Sequence, residues 1–142
     1  MLKLVGKGVV FDQCLTWSEH VKYLVGKVSK RISLLRRTRN NLSLYTANVI
    51  YKSLILPIID YCDNVWGCCG KVNSDKLEKL QRRAARIIMK THRSDDALKF
   101  LKYKPLEIRR DRHLLRLVKR CLKKCCPQMF YDYFIFNKDA IE

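Results

Sequence analysis

Asp95-Asp96 is a pair of carboxylates in sequence, and paired carboxylates suggest phosphoryl transfer. Two-metal catalysis needs carboxylates converging on ions about 4 Å apart. The flanks here are Arg93-Ser94 and Ala97-Leu98. They read instead as a helix start, where acidic residues face the positive end of the helix dipole. The seven cysteines contain no CxxC with a matching second pair, so no zinc site is expected. Cys62, Cys121 and Cys125 fall on apolar stripes, where a thiol acts as a small hydrophobe. His20, His92 and His113 are scattered and no nucleophile accompanies them. His20 is expected to pack beside Trp17. No glycine-rich phosphate loop is present. The sequence therefore points to no catalytic residue, no metal ligand and no cofactor.

The remaining chemistry is cationic. Lys and Arg number 30 against 13 Asp and Glu, a formal charge of +17. Such an excess self-repels unless an anionic partner neutralises it. Nucleic acid is the first candidate and an anionic membrane surface the second. A transmembrane helix needs about 20 apolar residues. The longest apolar run here, residues 54–59, is broken by Pro57. Too few apolar residues precede Lys7 for a signal-peptide core. An intracellular, reducing setting with free thiols is expected. By size, 142 residues make one domain, and a 48% hydrophobic content can fill one core.

Helices must position the charges. Leu2, Leu4-Val5 and residues 9–11, joined by Gly6-Lys7-Gly8, read as a strand or small hairpin. Thr16-x-x-Glu19 reads as a capping box opening a helix to about Arg39. Its buried stripe is Val21, Leu24, Val28, Ile32 and Leu35. Lys22, Lys27, Lys30, Arg31, Arg36, Arg37 and Arg39 cover the rest. Ser43 can cap a second helix with Leu44, Ala47, Ile50, Tyr51 and Leu54 inward. Pro57 must kink or restart it. Ile58, Tyr61, Cys62, Val65 and Trp66 form an apolar group, and Gly67 and Gly70 bracket a break. Asn73 or Ser74 can cap the next helix, with Leu77, Leu80, Ala84, Ile87 and Ile88 on one stripe. Arg82, Arg83, Arg86 and Lys90 lie on or beside its other face. A polar loop at residues 91–95 leads to a short helix at residues 96–102, carrying Leu98 and Leu101. Pro105 suits the first turn of a last helix, striped by Leu106, Leu114, Leu117, Val118, Cys121, Leu122 and Cys125. Short loops between long helices predict antiparallel neighbours.

Tyr61-Cys62, Val65-Trp66-Gly67 and Leu77-x-x-Leu80-Gln81-x-Arg83-Ala84-Ala85-Arg86 together resemble a known segment. It follows the palm in reverse transcriptases of non-LTR (LINE-type, jockey- and CR1-like) retrotransposons. Leu15-x-Trp17-x-x-His20-Val21, the proline before the YC pair, and Glu107-x-Arg109-Arg110 extend the resemblance to roughly residues 5–122. Residues 4–12 are similar to the last palm strand near the primer grip, without its aromatic residue. The resemblance implies a mainly α fold: a thumb-like helical bundle with a short N-terminal β-strand or hairpin. Residues 1–12 would be the remnant of the last palm strands, 13–126 the thumb-like domain and 127–142 a C-terminal tail.

The same resemblance implies a fragment of an RNA-directed DNA polymerase whose thumb contacts the backbone of an RNA/DNA template–primer duplex. Lys27, Lys30, Arg31, Arg36, Arg37, Arg82, Arg83 and Arg86 are the candidate contacts. The partner palm and fingers belong upstream, with the catalytic carboxylates. In that family the catalytic pair sits in a strand–turn–strand with aromatic and apolar flanks, unlike Asp95-Asp96. Other readings stay open: a stand-alone nucleic-acid-binding module, a helical protein-interaction module, or a decayed element relic without function. The purified chain is expected not to extend a primer with any metal ion. Extension that is lost in Asp95→Ala/Asp96→Ala would overturn the reading of that pair.

Overall fold

In the computed structural model, which describes residues 4–6 and 8–131, the chain opens on an antiparallel hairpin. Strand β1 (Leu4–Gly6) pairs with β2 (Val9–Phe11) in the register Leu4↔Phe11, Val5↔Val10, Gly6↔Val9. Gly8 turns the chain at φ 86°, where a side chain would be strained. Asp12 then organises the next segment. Its carboxylate accepts from the backbone N–H of Thr16 at 2.9 Å and of Trp17 at 2.7 Å. The Thr16 amide above all holds this carboxyl below its usual pKa range. Trp17 takes a left-handed backbone, φ 62°. That conformation costs about 1–3 kcal/mol. Its burial, with Phe11 edge-on at 5.5 Å, offsets this. The expected capping box is therefore not formed. Trp17 occupies the cap position, and no side chain caps the helix there.

Helix α1 (Ser18–Thr38) has 21 residues, about 31 Å. Its expected stripe is buried in full, and a 3₁₀ turn, Arg39–Asn41, stops it. Arg39 departs from the expected surface role. It is buried, and its guanidinium donates to the carbonyls of Ile88 at 2.8 Å and Leu42 at 2.7 Å.

Helix α2 (Leu44–Ile50) is capped as predicted, Ser43 Oγ accepting from the Thr46 N–H at 3.0 Å. A π-helical turn, Tyr51–Ile55, follows, then α3 (Leu56–Asp60) with Pro57 in its first turn. Pro57 has no N–H to close the ladder, and the wide turn lies just before it. Ala47 and Tyr51 are buried as expected, and the extra residue in the wide turn moves the next buried positions to Ile55 and Ile59. Leu54, expected inward, is exposed for that reason; Leu44, also expected inward, is exposed in the first turn of α2, before the wide turn.

The chain breaks again at Cys62, φ 54°, before α4 (Asp63–Trp66). This left-handed residue resets the helix axis, so residues 58–66 share no single face. Tyr61, Cys62 and Val65 are exposed, contrary to expectation, while Trp66 is fully buried. The Trp66 indole N–H donates to the Tyr61 carbonyl at 2.8 Å, and the His20 ring meets Trp66 edge-on at 5.4 Å. A Cβ on Gly67 would collide with the Asp63 carbonyl oxygen, so a glycine closes α4.

Helix α5 (Lys71–Met89) begins after Gly70, not at an Asn73 or Ser74 cap. Asn73 lies inside the helix, buried, and its amide donates to Ser18 Oγ at 3.1 Å. So the start of α5 is tied to the start of α1, and Arg39 ties the two ends. The two long helices, which are not consecutive in the chain, run parallel. The segment between them, residues 42–66, carries the chain back. Leu77, Leu80, Ala84 and Ile88 are buried as read, with Ile87 packed beside them.

Helices α6 (Ser94–Leu101), α7 (Leu106–Leu122) and α8 (Gln128–Tyr131) complete the described chain. Two compact units, Met1–Arg110 and Asp111–Glu142, divide it within α7. In the first unit, Gln81 joins three segments. Its carbonyl oxygen accepts from the Tyr51 hydroxyl at 3.1 Å and its amide donates to the Lys104 carbonyl at 2.9 Å. Glu78, one turn earlier, accepts from the Leu106 N–H at 3.0 Å, satisfying a free amide at the start of α7. Tyr51 stacks on Tyr103 at 4.9 Å. Burial, first of all, pushes the Tyr51 phenol far above its usual range. Of the three thiols read as apolar, Cys62 and Cys125 are exposed; Cys69, outside that set, is buried. The result is the mainly α bundle with an N-terminal hairpin that the sequence predicts.

Trp66→Ala should cost about 3–5 kcal/mol in urea unfolding. A cost below about 0.5 kcal/mol, the range of surface substitutions, would contradict the burial seen here. His20 is buried, its Nδ1 accepts from the Val10 N–H at 3.3 Å, and burial lowers its pKa. Below about 6.5 the unfolded chain then binds a proton that the folded one refuses. Stability from this group is full above that pH and declines as pH falls through the lowered folded pKa. His20→Gln should remove that part of the decline; an unchanged pH profile would show that His20 does not titrate on unfolding.

Candidate nucleic-acid interface

Parallel packing puts the C-terminal turns of α1 and α5 side by side. Helix C-termini carry unpaired carbonyls and partial negative charge, which favours cations nearby. Arg36 and Arg37 lie in the last turn of α1 and Arg86 in that of α5. Lys90 follows in a left-handed cap, φ 51°, its N–H bonded to the Arg86 and Ile87 carbonyls. Helix polarity alone therefore rewards some basic residues here, by about 0.3–1 kcal/mol each. It does not require them all to open onto one surface.

They do open onto one surface. Two adjoining depressions share Arg36 and Arg83 in their walls. One is lined by Lys30, Arg37, Ser29 and Ser33 as well. The other adds Arg86, Ile87, Lys90, Thr91 and His92. Together they make a groove along the α1–α5 seam with no carboxylate among the described residues that line it. Among the described residues, no acid lies within ion-pair distance of Lys30, Arg36, Arg37, Arg83, Arg86 or Lys90. Ser29, Ser33 and Thr91 add hydroxyls of the kind that bond phosphate oxygens.

The predicted residues thus divide into three groups. Lys30, Arg36, Arg37, Arg83 and Arg86 share the groove. Lys27 and Arg31 line a different depression on the other flank of the α1 stripe, with Tyr23, Leu54, Pro57 and Tyr61. Arg82 pairs with Asp95 at 3.6 Å, both side chains substantially exposed. That ion pair is worth about 1 kcal/mol at most. Asp96 meets Arg93 at 3.8 Å. Both acids sit in the first turn of α6, as the flanking residues predict.

Sequence reasoning left Lys90, Ser29, Ser33 and Thr91 out of the groove. Spacings of three and four, 29-33-36 and 83-86-90, carried that signal. Other basic residues serve the fold. Arg109 grips the Asp60 carboxylate through Nε at 2.8 Å and a terminal nitrogen at 2.6 Å. Arg110, buried, places its guanidinium 5.4 Å from the centre of the Trp66 ring and donates to Ser74 Oγ at 3.2 Å. The Arg109-Arg110 pair therefore anchors the start of α7 to α3, α4 and α5. Among the described residues, no helix is long and apolar enough to cross a membrane.

No family model matches the chain, and no solved structure matches it. Curated proteins do. The probable RNA-directed DNA polymerase from transposon X-element of Drosophila melanogaster is 34% identical over 85 residues. The RNA-directed DNA polymerase from mobile element jockey of the same species is 35% identical over 85 residues. The probable RNA-directed DNA polymerase from transposon BS, also from Drosophila melanogaster, is 29% identical over 84 residues. Each match covers 57% of this chain and 9% of the relative. This chain thus spans about a tenth of the length of those proteins. Over that stretch it is similar to RNA-directed DNA polymerases of non-LTR retrotransposons, the family that its YC, VWG and LQxRAAR motifs resemble.

Proposed function

We propose that the chain is part of the RNA-directed DNA polymerase of a non-LTR mobile element. In this reading residues 13–126 are a thumb-like region that holds the template–primer duplex by its phosphate backbone. Residues 1–12 continue the last palm strands, and 127–142 are a tail. The chain is non-catalytic alone; palm and fingers, from another part of the polymerase, carry the reacting carboxylates. The observation that supports this most directly is the α1–α5 groove, cationic along its length and without acids among the described residues that line it. Phosphate contact needs cations and hydroxyls on a rigid scaffold and gives affinity without base readout. Two long helices tied at both ends supply that scaffold.

The test is the salt dependence of duplex binding. Six engaged phosphates give a slope of log K against log salt of about −5 on duplex DNA. Arg36→Gln with Arg83→Gln should flatten it by about one unit for each phosphate no longer neutralised. Arg82→Gln, outside the groove, should leave the slope nearly unchanged. Absence of binding at low salt, or equal flattening by Arg82→Gln, would remove the groove from this role.

A further inference from the structure

On the flank of α1 away from the cationic groove lies a second depression of about 460 Å³. That is the size of a ligand cleft, about 300–1,000 Å³. Its chemistry differs from the groove's. Two tyrosines, Tyr23 and Tyr61, line it with Leu54 and Pro57, and Lys27 and Arg31 supply charge. Tyr23 is 46% exposed, Tyr61 49% and Leu54 50%, a large amount of aromatic and apolar surface open to water.

The bland account is a surface pair on one helix. Lys27 Nζ is 3.5 Å from the Tyr23 hydroxyl and 5.6 Å from the ring centre, one turn along α1. Such i,i+4 pairs add only about 0.2–0.5 kcal/mol. It does not account for Tyr61, from beyond α3, or for Leu54, turned outward by the π-helical turn. Arg31 stands one further turn along the same face. Chain segments far apart in sequence thus bring rings and cations to one place.

Rings with neighbouring cations suit a particular ligand. An unpaired base offers a π-face to stack on an aromatic side chain, and its phosphate needs a cation beside that ring. A paired base is already stacked within its duplex and offers only its backbone. We infer that the Tyr23–Tyr61 depression binds single-stranded nucleic acid, stacking unpaired bases on its rings and holding their phosphates with Lys27 and Arg31. This assigns Lys27 and Arg31 to a surface distinct from the duplex groove, and the assignment stands whether or not that groove binds duplex.

The experiment uses the whole chain and two labelled probes followed by fluorescence anisotropy. One is a single-stranded oligothymidylate; the other is a blunt hairpin duplex without unpaired ends beyond its capped loop. Tyr23→Leu/Tyr61→Leu keeps apolar bulk and removes the rings, with circular dichroism to check the helical signal. It should weaken single-strand binding about tenfold or more, given about 1–3 kcal/mol for each stacked base. Duplex binding should be unchanged. Tyr23→Phe, which keeps the ring, should retain single-strand affinity. Arg36→Gln/Arg83→Gln should show the opposite selectivity. The inference fails if oligothymidylate does not bind the unaltered chain, if the double leucine variant binds it as well as the unaltered chain, or if both probes weaken equally. A depression that takes an acidic peptide instead would give the second of those results. Absence of duplex binding by the unaltered chain, with its single-strand binding present and ring-dependent, would overturn the thumb reading and leave this one standing.

Discussion

One buried amide sets the geometry of the first unit. Gln81 lies on the apolar face of α5, where its neighbours are leucines and alanines. A buried side-chain amide left unpaired costs about 1–3 kcal/mol. Both ends of this one are paired, to the Tyr51 hydroxyl and to the Lys104 carbonyl. Apolar packing tolerates small slides; these bonds do not, because their length and angle tolerances are narrow. Tyr51 must therefore point at α5, and the loop before α7 must lie against it. Glu78, one turn earlier on α5, bonds the first amide of α7 in the same alignment.

Alignment at one end would not by itself hold two parallel helices. Asn73 fixes their beginnings through Ser18, and Arg39 fixes their ends through the Ile88 carbonyl. The second bond has an electrostatic role too. It places a cation between two helix C-termini, where partial negative charges would otherwise face each other. The surrounding Arg36, Arg37, Arg86 and Lys90 extend that field outward into the groove. Structural and binding roles thus grade into one another along the same two turns. The decisive difference is burial: Arg39 is closed off by carbonyls, while Arg36, Arg37 and Arg86 open to water.

Helix α1 divides its cations between two chemistries. Its apolar stripe is buried against the bundle, and each flank meets different neighbours. Toward α5 the neighbours are arginines and hydroxyls. Toward the hairpin and α3 they are tyrosines, a leucine and a proline. A count of basic residues cannot separate these flanks, because a charge is the same whatever stands beside it. The neighbours do, since phosphate and nucleobase surfaces ask for different partners.

Much of this was legible in the chain itself. The stripe of α1 and that of α5 follow from spacings of three and four, a local property of helices. Ser43, Pro57 and Gly67 announced a cap, a disruption and a break through their own backbone chemistry. The resemblance to retrotransposon polymerases was carried by contiguous motifs. Other features required the fold. Thr16 lost its capping role because Asp12 reached two amides first. Leu54 turned outward because a wide turn before Pro57 shifted the frame by one residue. Arg39, Arg109 and Arg110 were indistinguishable from surface arginines until carbonyls, a carboxylate and an indole ring were packed beside them. Periodicity, capping and breaks are decided over a few neighbouring residues, so sequence alone determines them. Helix direction, the partners of buried polar groups and the sharing of cations between two surfaces depend on residues about 30 or more positions apart, such as Tyr51 and Gln81. Only the tertiary structure decides those, because no single helix contains both sides of such an interaction.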